Sequence, residues 1–271
     1  MSATNVSHDV ERIASSGLEP MRARSVSVVI PVHNEEEILR ETVDQVATGL
    51  RRLPLDWFEV ILCENGSSDR THEIARELRR DYPEVRVLWL PMPDYGAAMK
   101  AGFFAAEGEV VVNFDADYYD MDFLASALRV EGDIVVAAKS IVGSHDSRVV
   151  TRRIVSRGFG AFVRSLLSLR VTETHGMKLF HASAIALLIG AVESTKDLFD
   201  TELLARAEWS GLRIRELPIH TEELRHSRSG IVRRIPRTMW GLVKMRVRLR
   251  REHATRVRVL PEVPATDSLV A

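Results

Sequence analysis

Cysteine is almost absent: Cys63 is the only one in 271 residues. No internal disulfide can form, so packing alone must hold the fold, as suits a reducing cytoplasm. No stretch approaches the roughly 20 apolar residues of a membrane-spanning helix. The first 24 residues contain no apolar run of signal-peptide length and read as a flexible tail. Internal repeats and low-complexity tracts are missing too. So are the familiar phosphate loops: the first strand-like run is followed by PVHNEEE rather than G-x-G-x-x-G, and no G-x-x-x-x-G-K-[ST] occurs. Any phosphate bound here must be held by other means.

What remains is ordinary in amount and uneven in placement. Hydrophobic residues make up 45% and charged residues 28%, usual for a globular domain. The net charge is −1, yet residues 225–258 hold twelve Lys and Arg against one acid, Glu252. That segment carries +11 and the rest of the chain −12, so a basic C-terminal element faces something anionic. Its only aromatic is Trp240, too little for a base-stacking platform, so no nucleic-acid partner is expected.

Strand-like and helix-like segments alternate. SVSVVIPV, FEVILCE, VRVLWL, VVVNF and DIVVAAK read as strands. NEEEILRETVDQVATGLRRL, with Asn34 as N-cap, reads as a helix, as do SSDRTHEIARELRRDY and YGAAMKAGFFAAE. RIVSRGFGAFVRSLLSL reads as a further helix, and TELLARAEWSGLRIRELPI as helix, glycine turn and strand. Such alternation predicts βαβ units and a mainly parallel sheet flanked by helices.

One strand ends unusually. Val110 to Val112 run into Asp115, Ala116 and Asp117. In open parallel sheets the carboxyl ends of strands form the ligand crevice. Two carboxylates one residue apart repel unless a cation lies between them, and Mg or Mn prefers such oxygen ligands. A solvated turn with helix-capping aspartates is the alternative.

Five motifs then occur in order: VVIPVHNEE, CENGSSDRT, YGAAMKAGFFAAEGEVVVNFDAD, ETHGMKLFH and FDTELLARAEWSGLRIRELP. Through them the chain resembles the family-two glycosyltransferases of the GT-A fold, over residues 25–229. FDTELLARA and RHSRSG carry a narrower resemblance to the dolichyl- or polyprenyl-phosphate mannose synthase branch. The resemblance implies an inverting, metal-dependent hexosyltransferase. Its donor would be a nucleotide-diphosphate sugar, GDP-mannose or a UDP-sugar. Its acceptor would be a polyprenyl phosphate. Transfer to a saccharide or small-molecule hydroxyl, and a catalytically silent nucleotide-sugar-binding protein, are the alternatives.

The same resemblance assigns roles. Asp115 and Asp117 match the DXD that holds Mg or Mn, with Ala116 between them. Pro31, His33, Asn34 and Glu35 match the first nucleotide contact, although His33 stands where a Tyr is usual. Glu64 matches the acid that reads the base, and Asn65 replaces a second Asp. Gly96 lets backbone approach the nucleotide, and Lys100 neutralises diphosphate. Lys139, Arg152, Arg153, Arg164, Lys178 and Arg225 are candidate binders of an acceptor phosphate. An ionised phosphate needs no general base. A hydroxyl acceptor does, and Asp200 or Glu202 is then the candidate, unless these acids merely favour a helix start.

Residues 230–258 form the last expected element, followed by a tail over 259–271. Ile235, Met239, Leu242, Val243 and Val247 recur at three- and four-residue steps, with Arg233, Arg234, Arg237, Lys244, Arg248 and Arg251 around them. This predicts basic amphipathic helices that lie on the inner face of the cell membrane; the alternative is that the apolar face docks on the protein's own core while the arginines face water or a partner chain. Homo-oligomerisation is left open.

Overall fold

The computed structural model describes residues 23–139, 145–146, 150–221 and 231–259. Its centre is a seven-stranded sheet in the order β3-β2-β1-β4-β7-β5-β8. β1 (Ser25–Val32) lies between β2 (Trp57–Asn65) and β4 (Val110–Asn113), parallel to both. β3 (Val85–Leu90) extends β2 in parallel, and β5 (Ile134–Ala138) pairs in parallel with β8 (Ile214–Pro218). The short runs of valine and isoleucine suit this position, because both faces of the central strands are covered. Val28 and Ile30 enter one core while Val29 enters the other, following the two-residue alternation of a strand.

The mixed, mainly parallel sheet is the expected one, with an unanticipated strand at its middle. β7 (Lys178–His181) runs antiparallel to both β4 and β5 and joins the two parallel halves. A separate two-residue parallel pair links β6 (His145–Asp146) to β9 (His220–Thr221).

The helices cover the faces. They are α1 (Leu39–Arg51), α2 (Thr71–Asp81), α3 (Tyr95–Ala105), α4 (Met121–Ala127), α5 (Val150–Leu167), α6 (Ala182–Leu188), α7 (Phe199–Trp209) and α8 (Ile231–Val259). α1 begins at Leu39, and Asn34 is not its cap. Asn34 takes a left-handed φ of 56°, and its Oδ1 accepts from the Ser68 backbone N–H at 2.8 Å. The expected cap thus ties β1's exit loop to that of β2. α3 is capped by Asp94, whose side chain accepts from the Ala97 N–H at 3.0 Å.

α8 corrects the amphipathic reading. It is one helix, and Leu242, Met245 and Leu249 bury their side chains in the protein's own core. Gly241 permits this: a Cβ there would meet Leu198 Cδ1 at 2.4 Å. Of the anticipated apolar face, Leu242 points inward, Met239 is half-buried, and Val243 and Val247 are exposed beside Trp240. The Ile235 side chain lies outside the described residues, as do those of Arg233, Arg234 and Arg237. Helix periodicity had merged two faces, one for core and one for solvent. Among the described residues no helix is long and apolar enough to cross a membrane.

Candidate active site

The carboxyl ends of β1, β2, β3 and β4 open into one cavity of about 830 Å³, within the size range of ligand pockets. Pro31, His33 and Glu35 enter it from the loop after β1, Asn65 from β2, and Asp94 and Tyr95 from the start of α3. Asp115, Ala116 and Asp117 enter after β4. The far wall comes from residues 193–198 and from Trp240, Gly241 and Lys244 of α8.

The loop after β4 is tied into a tight bridge. Asp115 and Tyr118 exchange backbone hydrogen bonds of 3.0 and 3.1 Å. The Ala116 carbonyl accepts from Thr42 Oγ1 at 2.7 Å. Two aspartates thereby reach the cavity, while Asp120 caps α4 through the N–H groups of Asp122 and Phe123. Burial pushes the Asp115 carboxyl up to about 7, helped by the Asp200 and Asp117 carboxylates and opposed by Lys178 and Lys139.

Several anticipated residues take other work. Asp200 is buried, with Lys178 Nζ 3.0 Å from Oδ1 and the Tyr95 hydroxyl 3.0 Å from Oδ2. Lys178 is itself fully buried and also donates to the Gly176 carbonyl at 2.7 Å. It does not reach the cavity, so the expected phosphate cation is instead the counter-ion of Asp200 inside the central strand β7. Glu202 is fully buried and accepts from Ser194 N–H at 2.7 Å and from Arg206 Nε at 2.7 Å. Burial alone would raise its pKa, but these donors hold the carboxyl below the usual glutamate range. Neither Asp200 nor Glu202 lines the cavity.

The nucleotide-side expectations divide likewise. Glu64 does not line the cavity; it accepts from the Ser67 N–H at 2.7 Å and faces His72 Nδ1 at 3.4 Å. Asn65 is the residue of that loop that faces inward, and its Oδ1 accepts from the Asp94 N–H at 2.8 Å. His33 Nδ1 lies 3.0 Å from the Asn65 carbonyl, which can only accept, so that nitrogen carries the proton. Asn34 and Gly96 are outside the cavity lining. Gly96 serves a close approach of chain to chain, not of chain to ligand: a Cβ would sit 2.7 Å from Thr195 Cα. Lys100 donates to the Val192 carbonyl at 2.9 Å and is likewise outside the lining.

The acceptor-side cations are no closer. Lys139 Nζ sits 4.3 Å from the Tyr118 ring centroid, and Arg164 donates to the Thr172 carbonyl at 3.1 Å. Neither lines the cavity. Arg152 and Arg153 lie on α5 with side chains outside the described residues, and Arg225 also lies outside them. The sequence reading missed Lys196 and Trp240 as cavity residues, and it placed Lys244 on a membrane face.

A mainly parallel sheet with one inserted antiparallel strand, and paired aspartates at the strand exits, define a GT-A type domain. The chain belongs to glycosyl transferase family 2, whose domain matches residues 27–185. It is 31% identical over 240 residues to the glycosyltransferase AglD of Haloferax volcanii, covering 80% of this chain but 37% of that protein. It is 26% identical over 236 residues to the dolichyl-phosphate beta-glucosyltransferase ALG5A of Trichomonas vaginalis, covering 81% of this chain and 70% of the relative. Among solved structures it is similar to glucosyl-3-phosphoglycerate synthase from Mycobacterium tuberculosis, in complex with Mn2+, uridine diphosphate and glucosyl-3-phosphoglycerate. The TM-score there is 0.62 at 22% identity, covering 82% of this chain and 80% of the other.

Proposed function

We propose that this protein transfers a hexose, of mannose or glucose type, from a nucleotide-diphosphate sugar to a polyprenyl phosphate at a membrane surface. Transfer inverts the anomeric carbon and uses Mg or Mn. The observation that carries the reading is the convergence of Asp115 and Asp117 with Glu35 and Asn65 on one cavity at the sheet's carboxyl edge. The dolichyl-phosphate acceptor in the name of the Trichomonas relative supports the acceptor class.

The donor set fits a hard divalent cation. Two carboxylates of one loop face the cavity, and both are oxygen ligands. Among the described residues no group of three or more His, Cys, Asp and Glu forms a closed metal cage. Asp115 and Asp117 would hold the cation. A divalent cation bound there supplies Lewis-acid stabilisation to a departing nucleoside diphosphate.

The chain's own residues bind and orient. Glu35 and Asn65 offer polar groups to the nucleoside, and the Asp94 cap fixes the start of α3 beside them. The acceptor phosphate forms a bond from its oxygen to the anomeric carbon as the bond from that carbon to the diphosphate breaks. A phosphate monoester is already ionised near neutral pH, so no proton need be removed. Asp200 and Glu202, the bases a hydroxyl acceptor was expected to use, are buried behind other partners. Val243 and Val247 are exposed on α8 beside Arg250 and Arg251, outside the cavity lining, a pattern suited to an anionic bilayer surface.

The test pairs UDP- and GDP-hexoses with a short polyprenyl phosphate and, separately, with a saccharide acceptor. The expected product is a hexosyl polyprenyl phosphate of inverted anomeric configuration, read by mass spectrometry and NMR. Product on the saccharide alone overturns the acceptor. Donor binding without any transfer leaves only a binding protein.

A further inference from the structure

The cavity is lopsided in charge. Among the described residues Glu35, Asp94, Asp115, Asp117 and Glu193 line it, against only Lys196 and Lys244 among its lysines and arginines. A phosphate oxyanion entering such a site needs cations, and the cations that sequence position suggested are engaged elsewhere. Lys178 is sealed against Asp200, and Lys100 is bonded to Val192. Lys196 and Lys244 are different. Among the described residues neither ammonium is paired with a carboxylate, and Lys244 Nζ rests 5.4 Å from the Trp240 ring centroid.

Both lysines are held in place by built features. Lys196 has a left-handed φ of 51°, unusual for a long side chain. Its N–H donates to Asp94 Oδ1 at 3.3 Å, and its neighbour Thr195 is pressed against the bare Cα of Gly96. A non-glycine residue in that conformation carries strain that the surrounding structure must impose. Lys244 is fixed through its helix. Gly241 fits against Leu198, and Leu242, Met245 and Leu249 are in the core. One turn beyond Lys244, Arg248 bonds to the buried Glu202 and, at 2.9 Å, to Glu193. α8 therefore cannot rotate or slide without breaking a buried ion pair.

We infer that Lys196 and Lys244 form a two-lysine clamp for a phosphate oxyanion in this cavity, with α8 serving as a wall of the site. The inference rests on the proposed transfer only in its choice of phosphate bearer. That bearer is either the donor's diphosphate or the acceptor's phosphate monoester.

Calorimetry and steady-state kinetics on the full chain separate these sources. Lys244→Gln, Lys196→Gln and Lys244→Arg are compared with wild type against UDP, GDP, uridine and guanosine, and for KM of a short polyprenyl phosphate. Each Gln variant is expected to lose about tenfold in one phosphate-dependent quantity, or ~1.4 kcal/mol. Nucleoside binding and melting temperature stay unchanged, and Lys244→Arg restores most of the loss. A loss on UDP or GDP assigns the clamp to the donor, and a rise in acceptor KM alone assigns it to the acceptor. If both Gln variants match wild type in every arm, the clamp is wrong while the transfer reading stands. If UDP or GDP affinity falls but wild type transfers only to saccharide hydroxyls, the clamp stands and the polyprenyl-phosphate reading falls.

Discussion

Arg248, midway along the last helix, donates to the carboxylate of Glu202, 46 residues earlier and fully buried. The same carboxylate receives Arg206 and the Ser194 and Glu193 N–H groups. It therefore joins α7, the segment before Lys196 and α8. Removing one partner of a buried ion pair costs about 3–5 kcal/mol, so Glu202→Gln should melt several degrees below wild type at pH 7. The carboxyl is depressed in the folded state, so its stabilisation is complete above its usual value of 4.5 and is lost as pH falls through the folded value. Calorimetric melting temperatures of the two proteins should keep a constant gap from pH 7 down to 4.5 and converge only as pH falls further. A gap that grows in acid contradicts this role.

Asp115 works with the opposite sign. Its carboxyl is raised from 3.8 to about 7, so ionisation opposes folding. The penalty is absent below the unfolded value and complete above the folded one. In EDTA, Asp115→Asn should therefore melt above wild type at pH 8, by ~2–4 °C for each kcal/mol relieved, and match it near pH 4. Equal melting at both pH values would show that the carboxylate is not destabilised in the fold.

Glycine positions allow a paired test of packing. A Cβ at Gly102 would lie 2.3 Å from Val29 Cγ1 and 2.8 Å from Cys63 Sγ, between α3 and the sheet. A Cβ at Gly158 meets nothing within 4 Å. Gly102→Ala should cost about 1–3 kcal/mol through overpacking. Gly158→Ala, in helix α5, should stabilise by roughly 0.5–1 kcal/mol. Urea titration of both variants reads the difference, and equal midpoints contradict the packing described.

Much of this architecture was legible in the sequence. β1 and β3 have the expected bounds, because runs such as VVIPV and VRVLWL carry their own strand signal. β7 was not legible. It is four residues long, and it carries a lysine that is buried only because Asp200 neutralises it across the fold. The paired aspartates after β4 were readable because a strand exit is a local pattern. The fates of Glu64, Gly96 and Glu202 were not, since each depends on a partner brought close only by folding: His72, Thr195 and Arg248. α8 shows the same limit. Periodicity marks an apolar helix, but the neighbour that takes each face is a tertiary fact.

The exposed stripe on α8 gives a prediction about surfaces. Val243 and Val247 are 40% and 43% exposed, outside the core and the cavity lining. Val243→Ser with Val247→Ser should reduce sedimentation with phosphatidylserine liposomes at low salt and leave the melting temperature unchanged. Undiminished sedimentation, or none by wild type, removes the bilayer from the account.

The central claim is metal-dependent hexose transfer at Asp115 and Asp117. The direct measurement is the rate of hexosyl polyprenyl phosphate formation by wild type and Asp117→Asn, in excess EDTA and after adding back Mg or Mn. Asp117 is an exposed cavity residue, so its loss should leave folding intact. Wild type should be silent in EDTA and active once the metal is restored. Asp117→Asn should form almost no product in either condition while melting near wild type. Full activity in EDTA, or in the folded Asp117→Asn protein, would contradict the claim.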